Sequence, residues 1–112
     1  MDENKRKNPR MAGYAKAIIA ETMAPGYIRD LSRTGCQVSF MPSIDVAVGS
    51  LLTMDVIAEH DPTIAPFRLS LRVLWSRRDS LWQYIGGELE SLSCREDEEC
   101  FERLVDYYER GR

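Results

Sequence analysis

Two short stretches hold the residues best suited to chemistry. RKNPR at 6–10 places Arg6 and Arg10 four apart, and DLSRTG at 30–35 supplies Asp30, Ser32 and Gly35. Guanidinium groups bind phosphate oxygens through paired N–H donors, stack on planar rings, and donate to the O6 and N7 edge of guanine. An aspartate accepts from the guanine N1 and N2 donors, and a serine hydroxyl adds a bond to phosphate or base. A glycine lets the backbone come close. Together these groups suit a small anion with purine edges, above all a guanine nucleotide with several phosphates.

Taken singly, each stretch has a plainer reading. Arginines at spacing four occur three times, as Arg6/Arg10, Arg29/Arg33 and Arg68/Arg72, so the first pair alone also fits a solubilising tail. Asp30 and Ser32 bond readily to nearby backbone and Gly35 tolerates positive φ, so DLSRTG alone also fits a strand connection. Other candidates are weaker. His60, in EHDP beside Glu59 and Asp61, has no second histidine or cysteine pair to make a metal or catalytic site. Ser32 has no nucleophile elbow and no evident base, so no enzyme is expected. Trp75, Trp82 and Tyr84 could stack on single-stranded nucleic acid, but on adjacent strands they are expected in the core or in cross-strand pairs. Cys36, Cys94 and Cys100 match no disulfide framework or zinc pattern and are expected as reduced, buried thiols.

The elements that must position these residues follow from pattern. The 112 residues are sized for one domain, with 44% hydrophobic and 29% charged residues. No apolar run is long enough to span a bilayer and no secretory signal is visible, so no membrane insertion and a cytoplasmic location are expected. Residues 1–12 are polar and carry Pro9, and read as a flexible basic arm. YAKAIIAETM at 14–23 fits helix or strand, and its β-branched residues and the following Pro-Gly favour strand. Further strands are expected at 27–31, 36–40, 51–58, 67–75 and 81–89. Residues 67–75 alternate most cleanly, with Phe67, Leu69, Leu71, Val73 and Trp75 on one side. RRDS at 77–80 reads as a turn, and Gly86 and Gly87 suggest a bulge or a close backbone approach. Phe101, Leu104, Val105 and Tyr108 then form a helical stripe at about 94–110, with Ser93 and Glu96 spaced as a capping box. The fold class expected is mainly β, a small six-stranded antiparallel barrel with a C-terminal helix.

Charge narrows the partner. The net charge is −3 and the basic excess is confined to residues 1–10, with four Lys/Arg against two acids, so nucleic acid is not expected.

The two motifs in this order resemble the signature of the PilZ domain family: R-x-x-x-R in an N-terminal arm, then D/N-x-S-x-x-G about twenty residues on. The resemblance extends through RVLWSRRDSLWQYIGGEL at 72–89 to the final helix. It implies a six-stranded split barrel spanning 13–112 that binds the bacterial second messenger cyclic di-GMP, with residues 1–12 folding over the ligand. By the same resemblance Arg6 and Arg10 hold phosphates and guanine, Asp30 and Ser32 read a guanine edge, and Gly35 shapes the turn. Lys5, Arg33 and Gly87 are secondary candidates, Lys5 because the residue before the first arginine influences whether one ligand or a stacked pair is bound. The implied role is a signalling receptor and adaptor in motility or biofilm regulation, working without a cofactor, as a monomer or weak dimer, through an unidentified protein partner. The alternative is a nucleotide-independent interaction subunit of motility or pilus machinery.

Overall fold

Alternation of apolar and polar residues decides the strands, and closing them on one another buries the apolar side. A computed structural model describes residues 13–93 and 95–111. Its strands are β1 (Ala15–Ile19), β2 (Pro25–Leu31), β3 (Gly35–Phe40), β4 (Leu51–Ile57), β5 (Phe67–Asp79) and β6 (Trp82–Leu92), followed by helix α1 (Arg95–Arg110). They form a closed antiparallel barrel in the order β1-β2-β3-β6-β5-β4, with β4 returning to β1. Inward residues such as Ile28, Val38, Met54, Leu71 and Ile85 are fully buried. The expected helical stripe is also buried: Phe101, Leu104, Val105 and Tyr108 lie against the barrel's apolar cluster. Each large side chain so enclosed contributes about 1.5–3 kcal/mol relative to exposure. Among the described residues no helix is long and apolar enough to cross a membrane. Residues 1–12, with Lys5, Arg6 and Arg10, expected as a flexible arm, lie outside the described residues, as does Cys94.

Several boundaries differ from the sequence pattern, each for a physical reason. β1 stops at Ile19, where the Met23 N–H returns to the Ile19 carbonyl (2.7 Å) to make a tight turn. Pro25 and Gly26 belong to β2 rather than to that turn. Proline is tolerated as a first strand residue, and Gly26 is required because a Cβ there would lie 2.7 Å from the Phe40 ring. RRDS is mostly strand: Arg77, Arg78 and Asp79 pair with Tyr84, Gln83 and Trp82, leaving Ser80 and Leu81 as the turn. Ser80 has positive φ (60°), as the first central residue of a two-residue hairpin requires.

Trp75 is not in the core. A bulge between Val73 and Trp75 inserts Leu74 and reverses the alternation, so Trp75 lies over Gly86 on the outer face, 40% exposed. At the helix entrance the Ser93 hydroxyl donates to the Arg68 carbonyl of β5 (3.3 Å), and the Asp97 carboxylate accepts from the Arg68 N–H (3.4 Å).

Two glycines set how closely the strands approach. A Cβ on Gly35 would overlap the Gly87 carbonyl oxygen, and a Cβ on Gly87 would overlap the Arg72 carbonyl oxygen. Gly35 is therefore needed for close packing, not for positive φ, which among glycines occurs at Gly49. Replacing Gly87 by alanine forces β5 and β6 apart and is expected to lower unfolding stability by about 1–3 kcal/mol in urea titration.

His60 stacks on Tyr107 of α1, ring centroids 3.8 Å apart, and both ring nitrogens are buried without a hydrogen-bond partner among the described residues. Burial holds its pKa below the usual imidazole value, so protonation costs more in the folded chain than in the unfolded one. Stability is thus full above about pH 6.5, the ordinary imidazole pKa, and falls as pH drops through it toward the lowered folded value. Thermal unfolding between pH 8 and pH 5 should show this loss in the wild type and a flatter profile in His60→Phe.

Candidate functional site

The DLSRTG motif forms the β2–β3 connection, and Ser32 is its internal tie. The Ser32 hydroxyl accepts from the Thr34 and Gly35 N–H groups (both 3.3 Å), while the Ser32 N–H donates to the Gly35 carbonyl (2.9 Å). These bonds close the turn within the chain itself, so Ser32 acts on backbone shape. The Thr34 carbonyl accepts from the Leu89 N–H (2.7 Å), fastening the turn to β6.

Asp30 stands just before this turn at a β2 bulge between Ile28 and Asp30. It is exposed, and one carboxylate oxygen accepts from the Leu31 N–H (3.0 Å). Asp30 pairs with Gln37, Gln37 with Gly86, and Gly86 with Trp75. One outward row across four strands therefore carries a carboxylate, an amide, a glycine and an exposed indole. Gly86 is part of the arrangement, because a Cβ there would occupy the Trp75 ring's position. Beneath the row lies Cys36, whose thiol pKa burial and then the Asp30 charge push up to about 12, making it inert. This thiol is buried as the sequence suggested, and Cys100 is half-buried.

The next outward row supplies aromatics and arginines that sequence reasoning missed or placed elsewhere. Arg29, at the bulge, lies over Tyr14 (4.9 Å) and near Tyr84 (5.4 Å), and its guanidinium donates to the buried Ser39 hydroxyl (3.4 Å). Arg77 lies over Tyr84 (4.8 Å) and Trp75 (5.8 Å). Trp82 contacts Tyr27 across strands (6.5 Å), so these aromatics are cross-strand neighbours on the outer face and not core.

The start of β1 sits beside this face. Ala15 pairs with Ile28, two residues from Asp30. The buried Tyr108 hydroxyl holds that spot, accepting from the Ala15 N–H (2.9 Å) and donating to the Ile28 carbonyl. Burial raises the Tyr108 pKa above that of an ordinary phenol, keeping the hydroxyl a donor.

The secondary candidates fall in different places. Arg33 turns away from Asp30 to α1, where its guanidinium meets Glu102 (2.8 Å), Asp106 (3.6 Å) and Glu109 (3.6 Å). The Glu102 hydrogen bond raises its pKa most. Gly87 faces inward between Cys36 and Val73, so its visible task is packing. Arg33 thus joins the turn to the helix. Arg33→Ala should speed hydrogen exchange of the 32–35 amides with little change in overall melting temperature, because the ion pairs are exposed. Unaltered exchange at the turn would show that the backbone bonds alone hold it.

Residues 4–107 match the family model described as PilZ domain. No curated protein matches the chain.

Proposed function

The chain belongs to the PilZ domain family, and from that premise we propose that it is a receptor for cyclic di-GMP that passes the signal to a partner protein. The observation that carries this reading is the outward row of Asp30, Gln37, Gly86 and Trp75 beside Ala15, the root of the arm bearing Arg6 and Arg10. The Asp30 carboxylate accepts from guanine N1 and N2, which an adenine cannot match because its N1 is an acceptor. The Trp75 indole, left open by Gly86, offers a face for the base. Arg6 and Arg10 neutralise the phosphodiesters and stack on guanine. Gly35 and Ser32 keep the turn close to β6 so that Asp30 stays in register with the row.

Binding fixes residues 1–12 against the outer face, and that change of surface is what a partner reads. The chemistry asked of the site is recognition alone, with no bond made or broken and no cofactor needed. A bacterial second messenger sets the place of action in the cytoplasm.

Isothermal titration with cyclic di-GMP tests the reading, with GTP as the rival ligand. The wild type should bind saturably and GTP should not reproduce it. Asp30→Ala, which removes a charged hydrogen-bond acceptor, should weaken binding by about tenfold or more. Trp75→Ala should weaken it by about fivefold to a hundredfold, and Arg10→Ala should abolish the heat. Absence of binding to the folded wild type by titration and by a second method would overturn the proposal.

A further inference from the structure

We propose that the edge of β5 beyond the barrel, residues 74–79, is a docking site for an extended acidic segment of a partner protein, which adds to it as a further strand. β4 begins at Leu51, opposite Arg72, and the connection before it reaches one residue further: the Val73 carbonyl accepts from the Gly49 N–H (2.7 Å) and the Val73 N–H donates to the Ser50 carbonyl (3.0 Å). From Leu74 onward β5 has β6 on one side, paired from Trp75/Gly86 to Asp79/Trp82. Among the described residues no other backbone group bonds to that stretch. Its other edge is a row of N–H and C=O groups able to extend the sheet. Every residue from Leu74 to Leu81 is exposed, Leu74 by 50% and Leu81 by 73%.

Charge selects the occupant. Arg33, Arg68, Arg72 and Arg103 each lie within 4 Å of a carboxylate. Among the described residues Arg77 and Arg78 face none, in a chain whose net charge is −3. Arg77 pairs with Tyr84 on the outer face, and Arg78 pairs with Gln83 on the opposite one, so the same edge carries one unpaired cation on each side. An added strand with two successive acids can meet both, one on each face, while Leu74 gives an apolar side chain a seat. A second copy of this chain would set four arginines together across the same edge, which opposes self-pairing. The inference rests on the ribbon alone and holds whether or not the outer row binds a nucleotide.

The test uses the full chain without nucleotide and a fluorescein-labelled ten-residue peptide in which pairs of glutamates alternate with pairs of valines, so that acids lie on both faces of the strand, with the peptide carrying lysine in place of glutamate as control. The acidic peptide should bind at low salt, weaken as salt is added, and slow hydrogen exchange of residues 74–79, while the basic peptide does not bind. In the double variant Arg77→Glu and Arg78→Glu, shown by circular dichroism to be folded, affinity for the acidic peptide should fall by about tenfold or more and the basic peptide should now bind. No binding of the acidic peptide, equal binding of both, or protection elsewhere on the barrel would overturn the proposal. So would concentration-dependent protection of the same amides without peptide, which would make a second copy the occupant.

Discussion

Three strands meet where two neighbouring residues, Gly35 and Gly87, lack a side chain. At Gly35 a Cβ would overlap the Gly87 carbonyl oxygen, and at Gly87 it would overlap the Arg72 carbonyl oxygen, so β3, β6 and β5 are drawn together by what is missing. That approach lets Cys36 and Val73 pack on either side of Gly87 and closes one wall of the barrel. It also fixes the height of the 30–35 turn over β6, where Thr34 receives the Leu89 N–H. The outward row from Asp30 to Trp75 depends on the register so established. Backbone packing thus comes first here: the signature glycine works on the sheet, and Asp30 inherits its position.

The helix makes the same turn part of a larger unit. Tyr108 joins α1 to both β1 and β2 through one buried hydroxyl, and Arg33 joins the turn to three carboxylates on α1. The first contact is buried and specific; the second is exposed and easily screened. A disturbance at the turn therefore has a path to the helix through Arg33 that need not disturb the core. Seven acids against four arginines in residues 94–112 keep that end of the chain negative. The β2–β6–β5 side instead carries Arg29 and Arg77 with no carboxylate in ion-pair range among the described residues. An acidic protein thereby presents one basic and aromatic face, suited to anions of limited size.

The sequence by itself determined the six strands, the closing helix and the two motifs, because hydrophobic alternation and the 3.6-residue stripe are local patterns that burial enforces directly. Phe101, Leu104, Val105 and Tyr108 illustrate this: their spacing alone placed them on the barrel. Asp30 was legible as a candidate site residue from the motif it shares with Ser32 and Gly35. What only the tertiary structure decided was where pairing shifts. The bulge at Leu74 turned Trp75 from the side it was expected to share with Val73 into an exposed ring, and the bulge at Ile28/Asp30 brought Arg29 beside Tyr14 and Tyr84. A bulge is a relation between two strands, with one extra residue opposite a partner far away in the chain. No local period can report it. The same holds for Arg33, whose carboxylates lie 69 residues or more away and meet it once the helix has folded back over the turn.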